Sequence, residues 1–238
     1  MNQDKDRIQY IRDEEKTYHD FCYENFTLFK PGSWLNKPVQ TVMNLMAQFD
    51  DKKNVSVLDL GCGVGRNSIP MAQRLNGQGG KVVCVDLLDS AIERLIQYSE
   101  QHHVADLINP YKMDISDFII HPEEYDYIVA VSALEHVDSQ KTFENVLFRM
   151  EEGTKSKGIN CIIVNTEEEE VDEKTGEHRD VLVEVNLSIK QTMRILRKIY
   201  KDWEELLVVT KPLEFEIRRQ GKPVLLRTKA ITFVVRKK

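Results

Sequence analysis

The run Val57-Leu58-Asp59-Leu60-Gly61-Cys62-Gly63-Val64-Gly65-Arg66-Asn67-Ser68 decides how this chain is read: an apolar segment ends in a carboxylate, and three alternate glycines follow. A buried strand arriving at Leu60 has to turn sharply into a helix that starts near Arg66. Glycine supplies both the positive φ and the bare backbone that a ligand can approach closely. The run therefore reads as a ligand loop at a strand-to-helix corner. Several cofactor classes use such corners, and the downstream sequence has to separate them.

The pattern recurs. Lys81-Val82-Val83-Cys84-Val85-Asp86 and Ile108-Asn109-Pro110-Tyr111-Lys112-Met113-Asp114 are short strands closing on an acid, and Tyr125 to Ser132 is a further apolar strand. Asp59, Asp86 and Asp114 lie 27 and 28 residues apart, which suits one strand-helix-strand unit of roughly 30 residues per step. In an open parallel sheet, ligands bind beyond the carboxyl ends of the strands, so these acids are expected along one edge. Each could instead be only a helix cap or a solvated loop acid.

Taken together, these residues resemble the class I S-adenosylmethionine-dependent methyltransferases over about residues 37 to 165. The resemblance implies an α/β, Rossmann-like, seven-stranded and mostly parallel sheet of order 3-2-1-4-5-7-6, its last strand antiparallel, with helices on both faces. It also implies S-adenosyl-L-methionine as cofactor. Gly61, Cys62, Gly63 and Asn67 would face the methionine end, with Asp59 near the amino group. Asp86 would accept from both ribose hydroxyls beside Leu87, and Met113, Asp114 and the backbone of Ile115 would meet the adenine. Ser132, at the end of the fourth strand, would lie near the sulfonium. An ionised carboxylate suits a vicinal diol because it is an acceptor only. The competing nicotinamide fingerprint requires a third glycine where Arg66 stands and has no use for Asp114.

With 238 residues and 41% apolar content, the chain can bury one substantial core. The expected organisation is an N-terminal helical cap or lid over residues 1–36 and a methyltransferase domain over residues 37–238. No apolar run approaches the roughly 20 residues of a bilayer crossing, and the start lacks a signal-peptide core, so a cytoplasmic protein is expected. Cysteines 22, 62, 84 and 161 lack metal-ligand spacing, and no metal is expected. A net charge of −6 argues against a nucleic-acid partner and leaves a small molecule. The acid run Glu167 to Glu170, with Asp172 and Glu173, reads as a solvated loop after the fifth strand, or as a gate that repels anions from the substrate pocket.

Apolar residues at helical spacing predict helices around Val39 to Phe49, around Ile92, Leu95 and Ile96, and around Phe143 to Met150. Pro110 would remove a ladder hydrogen bond, which an edge strand tolerates. Ser188-Ile189-Lys190-Gln191 is a capping box opening a helix with Ile189, Met193, Leu196, Ile199 and Tyr200 on one face. Gln220-Gly221-Lys222-Pro223 joins two long terminal strands.

The segment Met193 to Glu204, with Glu214 to Arg219 and Leu226-Arg227, is similar to the end of the tellurite resistance (chalcogen oxyanion) methyltransferases. Those proteins carry a His-Arg pair where this chain has Arg218-Arg219. Ser132 to Val137 resembles instead the small-molecule methyltransferases, including quinone-biosynthesis types, and lacks the Asn/Asp-Pro-Pro-Tyr/Phe tetrapeptide of base and glutamine methylating enzymes. The expected activity is methyl transfer to a small acceptor, a chalcogen oxyanion or thiol among the candidates. Quinones, protein or RNA, a non-catalytic cofactor-binding role and nicotinamide chemistry are the alternatives. His136 is the candidate base, since imidazole titrates near neutrality. Arg218 and Arg219 are candidates to hold an anionic acceptor. His19, Tyr18, Tyr23 and Trp34 could belong to the lid.

Overall fold

The computed structural model describes residues 2–238. The chain opens with α1 (Asn2–Asn25) and α2 (Gln40–Met46), then alternates β1 (Ser56–Leu60), α3 (Ser68–Leu75), β2 (Lys81–Asp86), α4 (Asp89–Gln101), β3 (Ile108–Lys112), β4 (Tyr125–Val131), α5 (Gln140–Gly153) and β5 (Thr154–Val164). A small hairpin of β6 (Glu169–Asp172) and β7 (His178–Arg179) follows, then α6 (Ile189–Ile199) and the long strands β8 (Glu204–Arg219) and β9 (Lys222–Arg236).

Strands β1 to β5 pair in parallel in the order β3-β2-β1-β4-β5. Strand β9 runs antiparallel to β5 through Ile231 to Arg236, and β8 pairs along the other edge of β9. With β9 and β8 read as strands 7 and 6, this is the expected order. The count differs, because β6 and β7 extend the sheet beyond β5 on the same edge of β9, through Val224 to Arg227. Pro110 falls on the edge strand, as expected of a residue that lacks an N–H for the ladder.

Parallel strands read as near-continuous apolar runs because helices cover both faces, and β1 is buried at all five positions. Its alternate residues serve different cores. Val57 joins Cys84, Val129 and Cys161 under α2, α3 and α4. Leu58 and Leu60 join Val85, Ile128 and Phe233 under α5 and α6. Fully burying an apolar side chain of this size contributes roughly 1.5–3 kcal/mol, so the two layers hold the sheet between its helices.

Local expectations hold in most places and fail where neighbours intervene. The capping box at Ser188 and Gln191 is formed, and Gln220-Gly221 makes a two-residue turn with both φ positive, at +50° and +74°. Ile96 faces solvent, and Tyr98 and Ala91 take its place in the core. Thr192 and Ile195 join the buried face of α6. The acid run is not a solvated loop: β6 forms within it, and side-chain alternation buries Glu168 and Glu170 while exposing Glu169. A strand of like residues carries no polarity signal, so its inward face was invisible in the sequence.

Candidate functional site

The glycine loop crosses from β1 to α3 with φ of +72° at Gly61 and +54° at Gly63. Gly61 and Cys62 donate their backbone N–H groups to the Val85 carbonyl at 2.8 and 3.1 Å, which ties the loop to the end of β2. A Cβ on Gly61 would lie 2.3 Å from the Cβ of Ala133 after β4, so the corner requires glycine for space as well as for φ. The Asn67 amide oxygen accepts from Val39 N at 2.9 Å and anchors the entry to α2. Cys62 is buried beneath the loop, where burial pushes its thiol well above the usual range.

Around this loop the structure brings the three acids to one edge of the sheet. Asp59 is 1% exposed and accepts from Ser68 Oγ at 2.6 Å. Burial pushes its carboxyl up to about 6, against the Ser68 hydrogen bond and the charge of Arg66. Asp86 accepts from Gly63 N at 2.8 Å and from Leu88 N at 3.0 Å. Burial raises it while those bonds lower it, and the raising prevails. Asp114 accepts from Ser116 N. The loop after it is held by Arg149, whose guanidinium donates to the carbonyls of Ile115, Ser116 and Phe118. Leu87 and Met113 present exposed apolar side chains beside Asp86 and Asp114, and Ile115 is buried. Ser132, with φ of +48°, stores backbone strain at the end of β4. Its N–H donates to Ile163 O at 2.8 Å.

Helix α1 lies over this edge and presents Arg12, Glu15, His19 and Tyr23 at helical three-to-four spacing. Arg12 pairs with Asp114 at 2.7 Å and with Glu184 at 3.6 Å. Glu15 pairs with Arg219 at 2.7 Å and with His19 at 3.6 Å. His19 packs edge-on against Trp34 and Tyr18, and the Tyr23 hydroxyl sits 3.3 Å from where a Gly63 Cβ would be. The helix is tied at one end to the Val183 carbonyl through Arg7 and to the hairpin tip through Tyr10 and Gln220.

A second cluster lies beyond β4 and β5. His136 Nδ1 meets Glu184 at 3.2 Å. Burial opposes the imidazolium, but the Glu184 hydrogen bond and the charges of Glu15, Glu135 and Glu184 push it up to about 10. Glu15 is itself lowered to about 2, since His19, His136 and Arg219 outweigh its burial. Glu170 pairs with Arg219 at 3.0 Å. Burial first, then the charges of Glu135 and Glu15, pushes Glu168 up to about 8, against His136 and Arg219. The carboxyl groups of Glu15, Glu135, Glu168, Glu170 and Glu184 thus surround the cations Arg12, His136 and Arg219, with Glu168 largely protonated near neutrality.

Arg218 and Arg219 point to opposite faces of β8. Arg218 is exposed, stacked 5.4 Å over Phe21, whereas Arg219 is buried and neutralised by two glutamates. His136 is a cation near neutral pH, a state in which its ring has no free lone pair to act as a base. Arg12, Glu15, Glu184 and Arg149 belong to the site region and were not singled out from the sequence, whereas Glu168 and Glu170 were read there only as part of a solvated loop or gate. Their placement depends on how α1, α5 and the segment after β5 fold back over the sheet. Only the helical spacing from Arg12 to Tyr23 hinted at it.

Residues 57–158 match the family model described as a methyltransferase domain. The ubiquinone biosynthesis O-methyltransferase of Rickettsia bellii is 26% identical over 121 residues, which are 51% of this chain and 46% of that protein. The sterol 24-C-methyltransferase of Candida albicans is 26% identical over 129 residues, 54% of this chain and 33% of that protein. The chain thus spans about half the length or less of these curated relatives. Among solved structures, TehB from Haemophilus influenzae has a TM-score of 0.60 at 23% identity, over 82% of this chain and 62% of that one. A SAM-dependent methyltransferase from Methanosarcina mazei has a TM-score of 0.58 at 16% identity, over 84% and 98%. At these identities the likeness of structures is one of fold.

Proposed function

We propose that this chain, whose residues 57–158 match a methyltransferase domain, is a class I methyltransferase that binds S-adenosyl-L-methionine at the carboxyl edge of the sheet and transfers the methyl group to a small-molecule acceptor. The observation that carries this reading is the convergence of Asp59, Asp86 and Asp114 at the ends of three adjacent parallel strands around a glycine loop. These groups are acceptors, and the cofactor's amino group, ribose diol and adenine amine are donors, so the set fits.

In this reading Asp86 keeps lone pairs for the ribose after accepting from Gly63 and Leu88, which also fixes its orientation. Asp114 and the Ile115 backbone take the adenine edge, with Leu87 and Met113 against its faces. The backbone of Gly61, Cys62 and Gly63 borders the methionine end. Asp59 borders the amino group and with Asn67 holds the loop's underside, and Ser132 flanks the sulfonium. The cofactor supplies a methyl group already activated on a sulfonium. The protein's part is therefore in-line positioning in a dry site, which can contribute roughly 7–11 kcal/mol. Residues 1–36 act as the cap, and Arg12 has to leave Asp114 when adenine arrives. His136 and Arg219 serve as charged anchors of the acid cluster, and the acid surplus disfavours an anionic acceptor. Among the described residues no helix is long and apolar enough to cross a membrane. A cytoplasmic setting without a nucleic-acid partner belongs to the same proposal.

Isothermal titration tests it. The wild type should bind S-adenosylmethionine and not a nicotinamide dinucleotide. Asp86→Ala should lose roughly tenfold to a hundredfold in affinity, from the 1.5–3 kcal/mol of hydrogen bonds to a charged group. A variant within about twofold of wild type would sink the assignment of Asp86.

A further inference from the structure

Resting on that reading, we infer that the methyl acceptor is the amine of a small organic cation, held as its ammonium by Glu135, Asn165 and Glu168 beyond the ends of β4 and β5.

Two buried acceptors beyond the ends of β4 and β5 have nothing to accept among the described residues. Glu135 is 1% exposed, and its Oε1 takes the Asn165 N–H at 3.1 Å and Nδ2 at 2.7 Å. Its Oε2 is buried without a partner, and so is Asn165 Oδ1. Glu168 is 8% exposed, and its backbone is clamped by Asn186, yet no described residue donates to its carboxylate. A buried orphan acceptor costs roughly 1–3 kcal/mol, and more when charged. Two of them side by side, next to the buried carboxyl of Glu168, ask for a ligand that brings donors. An ammonium offers three N–H groups and a positive charge, whereas a thiolate, an oxyanion or a hydroquinone offers no charge of that sign. The carboxyl-rich lining makes the same demand, since His136 is held by Glu184 and Arg219 by Glu15 and Glu170, which leaves Nη1 of Arg219 as the one buried donor of the pair without an acceptor among the described residues.

The chemistry balances with these residues. Burial pushes the Glu168 carboxyl up to about 8, the adjoining ammonium favours its ionised form, and that form takes one proton from R–NH3+ and leaves R–NH2. The freed nitrogen lone pair forms the N–C bond to the methyl group as the C–S bond breaks, its electrons remaining on sulfur as a neutral thioether. The product leaves as R–NH2+–CH3, and Glu168 returns its proton to solvent.

The experiment uses the full chain saturated with S-adenosylhomocysteine, titrated calorimetrically with ethanolamine, putrescine, histamine and benzylamine, and with 2-mercaptoethanol, selenite and hydroquinone for comparison. At least one amine should bind below about 1 mM and be methylated when S-adenosylmethionine replaces the product. Glu168→Gln and Glu135→Gln should each weaken amine binding about tenfold or more while S-adenosylmethionine affinity stays within about twofold. Should Glu135→Gln fold poorly, Glu168→Gln alone carries the test, because its carboxylate supports no neighbour. The inference is overturned if no amine binds, if only a thiol, selenite or hydroquinone is turned over, or if the variants lose cofactor rather than amine affinity. Failure of the wild type to bind S-adenosylmethionine would sink the proposed function itself, a result distinct from all of these.

Discussion

Substituting Gly61 by alanine probes the joint between the glycine loop and the end of β4, on which the site geometry depends. Two penalties add. At φ of +72° a Cβ is disfavoured, by roughly 1–2 kcal/mol. The new methyl would also lie 2.3 Å from Ala133 Cβ, an atom fixed rigidly to buried backbone. Overpacking of this kind costs about 1–3 kcal/mol. Gly61→Ala should therefore lose roughly 2–5 kcal/mol in urea unfolding followed by tryptophan fluorescence. Gly176→Ala is the control: its φ is +73°, and nothing lies within 4 Å of an added Cβ, so only the backbone penalty of roughly 1–2 kcal/mol applies. Adding Ala133→Gly to Gly61→Ala removes the opposing methyl and should restore about 1–3 kcal/mol beyond its effect in wild type. The reasoning fails if Gly61→Ala costs no more than Gly176→Ala, or if the double-mutant coupling is below about 0.5 kcal/mol.

Other consequences are open to measurement. Tyr200→Phe removes a buried hydroxyl that accepts from Asn160 Nδ2 at 3.0 Å and donates to Leu147 O. It should cost about 1–3 kcal/mol in the same unfolding assay, and a neutral result would mean that the network does not bear on stability. Arg12→Ala frees Asp114 from its ion pair and, if the cap competes with adenine, should raise S-adenosylmethionine affinity about fivefold, from an ion pair worth about 1 kcal/mol. A fall in affinity by calorimetry would make Arg12 part of the binding surface instead. His136 is raised from 6.5 to about 10 among Glu184, Glu15 and Glu135, so its stabilising contribution is full below about pH 6.5 and fades as pH climbs through about 10. The melting-temperature gap between wild type and His136→Gln should close over that interval, and a gap independent of pH would refute the charge assignment.

How much was legible can be judged residue by residue. The strand-acid repeats placed Asp59, Asp86 and Asp114 on one edge because each signal is local: apolar run, carboxylate, turn. Pro110 announced an edge strand and Ser188 a helix start for the same reason. Arg218 and Arg219 look alike in sequence, yet strand alternation puts one in solvent and buries the other between Glu15 and Glu170. His136 read as a base because imidazole ordinarily titrates near neutrality, and the carboxylates that keep it charged come from α1 and from the segment after β5.

The alternation of strands and helices, the glycine corner and the spacing of the acids follow from local sequence, since hydrophobic period and backbone freedom act over a few neighbouring residues. That α1 lies over the strand ends, that Arg12 occupies Asp114, and that the glutamates after β5 turn inward follow from long-range packing. Charge balance in a buried site is a sum over groups far apart in the chain. Their distances and shared desolvation exist only once the sheet has brought them together.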